Sequence, residues 1–281
     1  MKKLAAGVYM ESGYPGVCLG AIVYSRGLLL VDTPPIPEDG RNWISALKEI
    51  KSGPERLLVN LDSHPDRVLG SHMIESSIVA QKDIAETFRQ RPAIFKTQNI
   101  DTGAEWEGCS GLTGIRYKQP DIVFSEQIII RGKDLDILVE HHPGPAKGAS
   151  WVVVPERKVI FVGDAVVVKQ PPFLANADLP AWIETIDLLL TKQKEYKIIS
   201  GRGGLINEKH IRSMRKLLVD IHKRMERLGK RKASPEETEK MVAKILANSE
   251  SPAKYKDLYS QRLKYGLYHY YARNYFPKKP E

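Results

Sequence analysis

Apolar residues in this chain come in short blocks. VYM, CLGAIVY and LLLVDTP follow one another from residue 8 to residue 34, separated by Gly, Pro or Ser25-Arg26-Gly27. Adjacent apolar blocks joined by so short a turn predict a β-hairpin. Over residues 38–50 the period changes: Trp43, Leu47 and Ile50 recur at helical spacing. LLVNL then reads as a buried strand, and SSIVAQKDIAETFRQR as a strand followed by a helix from Asp83. Residues 92–120 hold Pro92, Gly103, Gly108, Gly111 and Gly114 without periodicity, which predicts a long loop or insertion. Strand blocks resume with EQIIIRG, LDILVE, SWVVVP and KVIFVGD, with RGKD and PERK as hairpin-like turns. A helix is predicted over 179–192, then the strand YKIIS and the glycine-rich run Gly201-Arg202-Gly203-Gly204.

From Asn207 the pattern is helical. Ile211, Met214, Leu218, Ile221, Met225 and Leu228 form one apolar stripe at spacings of three and four. Asn207 is placed to cap this helix and Gly229 to end it. Ser234-Pro235 is a good start for the next. The order (β-rich half, helix, β-rich half, helices) is that of an α/β protein, without an internal repeat.

Acidic residues stand where apolar strands end. Asp32 closes LLLVD, Asp62, His64 and Asp66 follow LLVNL, and Asp164 closes VIFVGD. Polar groups that follow buried strands meet at a sheet edge, where loops converge into one site.

These fragments, in this order, resemble the metallo-β-lactamase (MBL) fold hydrolases over roughly residues 5–205. LLLVDTP looks like the family's first motif, a strand ending in a structural Asp. NLDSHPDRVLG (60–70) looks like its second, usually T-H-x-H-x-D-H-x-x-G: Asp62 stands for the first His, His64 and Asp66 are kept, and Arg67 stands for the last His. PGPAKGASWVVVPERKVIFVGD looks like the third and fourth motifs, with Gly144, Gly148, Pro155, Gly163 and Asp164 matching and Pro145 in place of a metal-binding His. SGRGG looks like the final P-G-H-G motif with Arg202 in place of His.

The resemblance implies a four-layer αβ/βα sandwich over residues 1–204 and a helical C-terminal extension over 205–281, packed on or near the same domain. It also implies hydrolysis, with Asp66 and Asp164 as the catalytic carboxylates. The departures reshape the metal site. Arginine cannot coordinate a metal, and both arginines fall on second-metal positions. Two guanidinium groups carry the formal charge of one dication, so Arg67 and Arg202 are expected to replace the second metal, each forked onto a carboxylate. Dinuclear zinc is then not expected. Asp62, His64 and Asp164 remain as a ligand set for one ion (Zn, Mn or Fe), the oxygen-rich donors favouring the harder ions.

That mononuclear hydrolase is an alternative. The leading reading is a metal-poor, hydrolase-like site in which Arg67, Arg202, Gly201 and Gly203 bind an anionic small molecule, the glycine-rich run offering backbone N–H groups ahead of a helix. A second alternative makes the basic tail an interaction surface. His141 and His142 are candidate substitute ligands, though strand-end packing explains them more simply, and His72 is expected to pack or cap locally. Pro171-Pro172-Phe173-Leu174 is expected to form a loop over the site mouth.

Charge supplies the reason for the tail reading. Residues 205–281 hold 19 Lys/Arg against 9 Asp/Glu, the source of all the net +9. Seven of the twelve tyrosines also lie there, a combination that can bind nucleic acid. Leu258, Leu263 and Leu267 share the segment, and packing explains it more simply, so nucleic acid is not expected as a partner. No apolar run approaches the ~20 residues of a membrane span. The start MKKLAAGVYMESG lacks a long apolar stretch and a small-residue cleavage site, so no signal peptide is expected. Cys18 and Cys109 are too few for a disulfide framework. A cytoplasmic protein is expected, with homo-oligomerisation open.

Overall fold

A computed structural model of the chain describes residues 1–96, 101–192 and 194–276. The first sheet runs in chain order: β1 (Lys2–Ala5), β2 (Val8–Glu11), β3 (Leu19–Tyr24), β4 (Gly27–Val31), β5 (Glu55–Val59), β6 (Ser77–Gln81) and β7 (Ile122–Phe124). Strands β1 to β4 pair antiparallel, and β3 and β4 form the hairpin expected at Ser25-Arg26. From β4 onward the pairing is parallel. Parallel neighbours need crossovers, and α1 (Pro37–Lys48), α2 (Pro65–Val68) and α3 (Lys82–Gln90) lie in those connections.

The second sheet has the order β13-β12-β11-β10-β9-β8. Its members are β8 (Gln127–Arg131), β9 (Asp136–His141), β10 (Ser150–Val154), β11 (Val159–Phe161), β12 (Lys197–Ser200) and β13 (Gly204–Ile206). Only β11 and β12 pair parallel, across the helix α4 (Leu179–Lys192). The inner faces of the two sheets share a core that includes Ile22, Val31, Val59, Val152 and Phe161. Trp43 and Leu47 of α1 cover the outer face of the first sheet. Covering the second are α4, α5 (Glu208–Lys230) and, beyond α6 (Val242–Asn248), α7 (Lys256–Tyr275). This is the expected αβ/βα sandwich. Strands β4, β10 and β11 are buried along their whole length, and so they read as unbroken apolar runs.

The differences from the expected elements have local causes. Strand β1 carries two lysines and β7 leaves two of its three residues exposed. Both lie at sheet edges, where the apolar signal is weakest. Strand β13 separates the glycine-rich run from α5, so that run does not open a helix. Asn207 does cap α5, its side chain accepting from the His210 N–H. Gly229 lies inside α5 and does not end it: a Cβ there would sit 2.6 Å from the Tyr275 ring, so the glycine lets α7 approach. Ser234-Pro235 opens a 3-10 segment, and Ser234 makes no side-chain cap. The extension joins the rest without a linker, because β13 pairs with β12 and α5 shares a core with α4. Tyr259, Leu263, Leu267, Tyr270 and Tyr271 of α7 are buried.

Candidate metal centre

Loops from both sheets meet at one end of the sandwich. Asp32 follows β4, and Asp62 and His64 follow β5. The short helix α2, opened by Pro65, carries Asp66 and Arg67 inward. Asp164 follows β11 and Arg202 follows β12. Asp32 adopts a left-handed conformation with φ +56°, which Asp tolerates better than most residues. This turns its carboxylate inward, where Oδ1 accepts from the Leu61 N–H at 2.9 Å.

Arg67 lies at the centre, with no exposed surface. Its Nη1 donates to Asp32 Oδ2 at 2.5 Å, its Nε lies 3.0 Å from Asp62 Oδ2, and its Nη2 donates to Asp164 Oδ1. Arg202 continues the network. Its Nε donates to Asp164 Oδ2 at 2.8 Å, and its Nη2 lies 2.5 Å from Asp66 Oδ2. Its Nη1 donates to the Gly16 carbonyl at 2.7 Å and to Glu105 Oε2 at 3.4 Å. Asp164 is therefore held between two guanidinium groups and joins the two sheets.

The glycines beside Arg202 make room instead of presenting N–H groups. A Cβ at Gly201 would lie 2.3 Å from Arg67 Nη2, and one at Gly203 would lie 2.6 Å from Val168 Cγ2. The Gly201 N–H is already donated to the Gly163 carbonyl at 2.7 Å. That N–H is therefore not free to meet an anion.

His64 keeps about a fifth of its side chain exposed (21%). Its Nδ1 lies 3.2 Å from Asp62 Oδ1 and 4.0 Å from Asp164 Oδ2, but it is buried without a hydrogen-bond partner. Among the described residues, Asp62, His64 and Asp164 form the one group whose ligand atoms could hold a metal, all within 4.8 Å of one another. The other histidines are engaged elsewhere. The Nε2 of His141 lies 2.7 Å from the Lys147 carbonyl, His142 stacks on Trp151 at 3.8 Å, and His72 Nδ1 lies 2.6 Å from the Leu69 carbonyl.

Three participants were not apparent from the sequence: Glu105, Arg262 and Tyr259. Glu105 comes from the aperiodic 92–120 segment, of which 97–100 lie outside the described residues. Arg262 comes from α7, and its Nη2 lies 2.8 Å from Glu105 Oε2 while its Nε donates to the Gly103 carbonyl at 2.9 Å. Tyr259 donates its hydroxyl to Glu105 Oε1 at 3.3 Å. A usable signal existed: Arg262 shares a helical face with Tyr259, Leu263 and Gly266, and a cation on an apolar stripe needs a buried partner. Phe173, from the Pro171–Leu174 loop, covers the cluster. Its ring centroid lies 4.0 Å from the Arg262 guanidinium, 4.6 Å from that of Arg202 and 5.0 Å from the His64 ring.

The charges do not balance. Five carboxylates (Asp32, Asp62, Asp66, Asp164 and Glu105) face three guanidinium groups (Arg67, Arg202 and Arg262), a formal excess of two negative charges. The titration behaviour follows. Burial pushes Asp32 up to about 7 despite Arg67, and burial also raises Asp66. Burial opposes ionisation of Asp62 too, but Arg67 outweighs it and holds the carboxyl well below its usual range. Arg202 and Arg67 do the same for Asp164. Burial would lower His64, yet Asp62 and Asp164 raise it. The His64 Nδ1 without a hydrogen bond, the grouped donors and the formal excess of two negative charges fit one divalent ion. Arg67 and Arg202 lie against Asp32, Asp66 and both oxygens of Asp164.

The sequence over residues 21–202 matches the family model of the metallo-beta-lactamase superfamily. The chain belongs to that superfamily. No curated protein matches it significantly. Among solved structures, this superfamily member is similar to a metallo-beta-lactamase from Pontibacter korlensis: TM-score 0.62, 17% identity, with 78% of this chain and 97% of the other covered. A metallo beta lactamase from Hirschia baltica matches with TM-score 0.55 and 16% identity over 77% and 95% of the two chains. The stereoselective inverting sec-alkylsulfatase from Pseudomonas sp. gives TM-score 0.68 at 15% identity. That match covers 97% of this superfamily member, its C-terminal helices included, but 49% of the alkylsulfatase. At these identities the structural matches establish the fold alone. No helix among the described residues is long and apolar enough to cross a membrane.

Proposed function

We propose that this superfamily member is a hydrolase-type protein with one divalent ion held by Asp62, His64 and Asp164. Arg67 and Arg202 take the place of a second ion. The observation that carries the reading is the charge imbalance: three guanidinium groups leave two negative charges on five carboxylates. The shortfall lies beside a histidine nitrogen with no hydrogen-bond partner. Buried carboxylates do not stay ionised without a counter-charge. The donor set has two oxygens and one nitrogen, which suits Mn or Fe better than zinc.

A bound ion would polarise the scissile bond and acidify water. The chain's own groups do the rest. Asp66 is the candidate proton acceptor: its Oδ1 is buried without a hydrogen bond, and burial raises its pKa toward the range a general base needs. Arg202 fixes the orientation of Asp66 and Asp164 together. Phe173 shields the cluster from water. The alternative, an anionic ligand bound by Arg67 and Arg202, is less well supported. Arg67 is fully buried with a carboxylate on each nitrogen, and Arg202 is held by three carboxylates and the Gly16 carbonyl.

Elemental analysis of protein purified without chelator tests this. The expected result is about one divalent ion per chain, falling to background in Asp62→Ala and His64→Ala. Two stoichiometric zinc ions would remove the arginine-substitution reading. A metal-free wild-type chain would remove the hydrolase.

A further inference from the structure

A cavity of about 640 Å³ opens beside Arg202, between the residue 12–18 loop and α7. Its size is that of a small-molecule site. It adjoins the charged cluster: a Cβ at Gly16, on its wall, would lie 3.4 Å from Asp66 Oδ2 and 3.6 Å from Arg202 Nη1. Much of the wall is aromatic and aliphatic, with Tyr14, Val17, Tyr255, Leu258 and Tyr259 among its residues.

We infer that this cavity is the substrate pocket of the proposed hydrolase, and that it takes an uncharged molecule with an aromatic or bulky apolar body. Among the described residues, the only charged groups on its wall are Glu105 and Arg202, and they face each other at 3.4 Å. Neither is free. Arg202 is also committed to Asp66, Asp164 and the Gly16 carbonyl, and Glu105 to Arg262 and Tyr259. No cation on the described wall is therefore left unspent to receive a phosphate, sulfate or carboxylate, and burying an unpaired anion is costly. Tyr14 and Tyr255 offer ring faces and hydroxyl groups, a surface that holds an aryl body and hydrogen-bonds an uncharged polar group, while the Tyr259 hydroxyl is donated to Glu105.

The inference rests on the hydrolase reading for the word substrate, but its test needs neither turnover nor metal. Ligand-observed NMR titration of the full chain would compare naphthylmethanol, naphthoate and naphthyl phosphate, which share one aryl body. The alcohol is expected to bind, and the two anions to bind roughly tenfold or more weakly. Leu258→Trp, which fills the cavity, and Tyr255→Ala, which strips one wall, should each weaken the alcohol. Anions that bind as well as the alcohol, or an alcohol that does not bind the wild-type chain, would overturn the inference. Alcohol binding by a chain that holds no metal would leave the pocket standing while the hydrolase fails.

Discussion

Arg67→Met is expected to cost this protein several kcal/mol of stability, the largest loss for any single side chain in the site. Three aspartates face this one guanidinium group, and neither it nor Asp32 is exposed. Removing one partner of a buried ion pair costs about 3–5 kcal/mol, and Arg67 is partner to three carboxylates at once. Proton uptake offsets part of that loss, since Asp32 already titrates near 7. Typical domains have only about 5–15 kcal/mol in total, so the variant should be partly unfolded or melt far below the wild type. Arg67→Lys should rescue little, because an ammonium is one point charge where the fork reaches three acceptors in one plane. Denaturant titration of both variants checks this. A midpoint within experimental error of the wild type for Arg67→Met would show that the aspartates do not depend on Arg67.

Gly201→Ala should approach the same loss by a different route. The added methyl would sit 2.3 Å and 2.6 Å from the two terminal nitrogens of Arg67. The backbone cannot retreat easily. Its N–H is donated to the Gly163 carbonyl at 2.7 Å, and its carbonyl accepts from the Cys18 N–H at 2.8 Å. Relief then requires Arg67 to move, and that disturbs three ion pairs at once. Overpacking in a core commonly costs about 1–3 kcal/mol; here the displaced group is a paired charge, and a loss at or above that range is expected. Gly203→Ala is the control, because its methyl would press on Val168 and not on the cluster. If both alanine variants melt alike, the guanidinium group is not what Gly201 accommodates.

The inner strands and the strand-end acids could be read from sequence because both follow from burial. A strand covered on two faces shows as a continuous apolar run, and the first polar residue after it lies at the sheet edge. Asp32, Asp62 and Asp164 stand out for that reason, and Arg67 and Arg202 stand out as cations in positions where a histidine belongs in the motifs. Glu105 gives no comparable signal, and Arg262 gives only its place on an apolar helical face. Glu105 sits in a segment without period, and Arg262 is one of many cations in a lysine-rich tail. Only the fold of α7 against residues 103–105 reveals that this arginine alone is turned inward. The arginine-lined anion site lost support for a related reason. Sequence places cations near a pocket but does not show how many of their N–H groups the protein already uses.

The ion-pair network also constrains when the site can form during synthesis and folding. Its contacts join Gly16 to Arg202, Asp32 to Arg67 and Glu105 to Arg262. The last of these cannot close until the ribosome has added α7, some time after both sheets are complete. Until then Glu105 lacks its Arg262 and Tyr259 partners. Contacts that form after the folding barrier act mainly on how fast a protein comes apart, and little on how fast it forms. A network closed last by α7 would then act as a latch on the finished fold, setting its lifetime more than its rate of assembly.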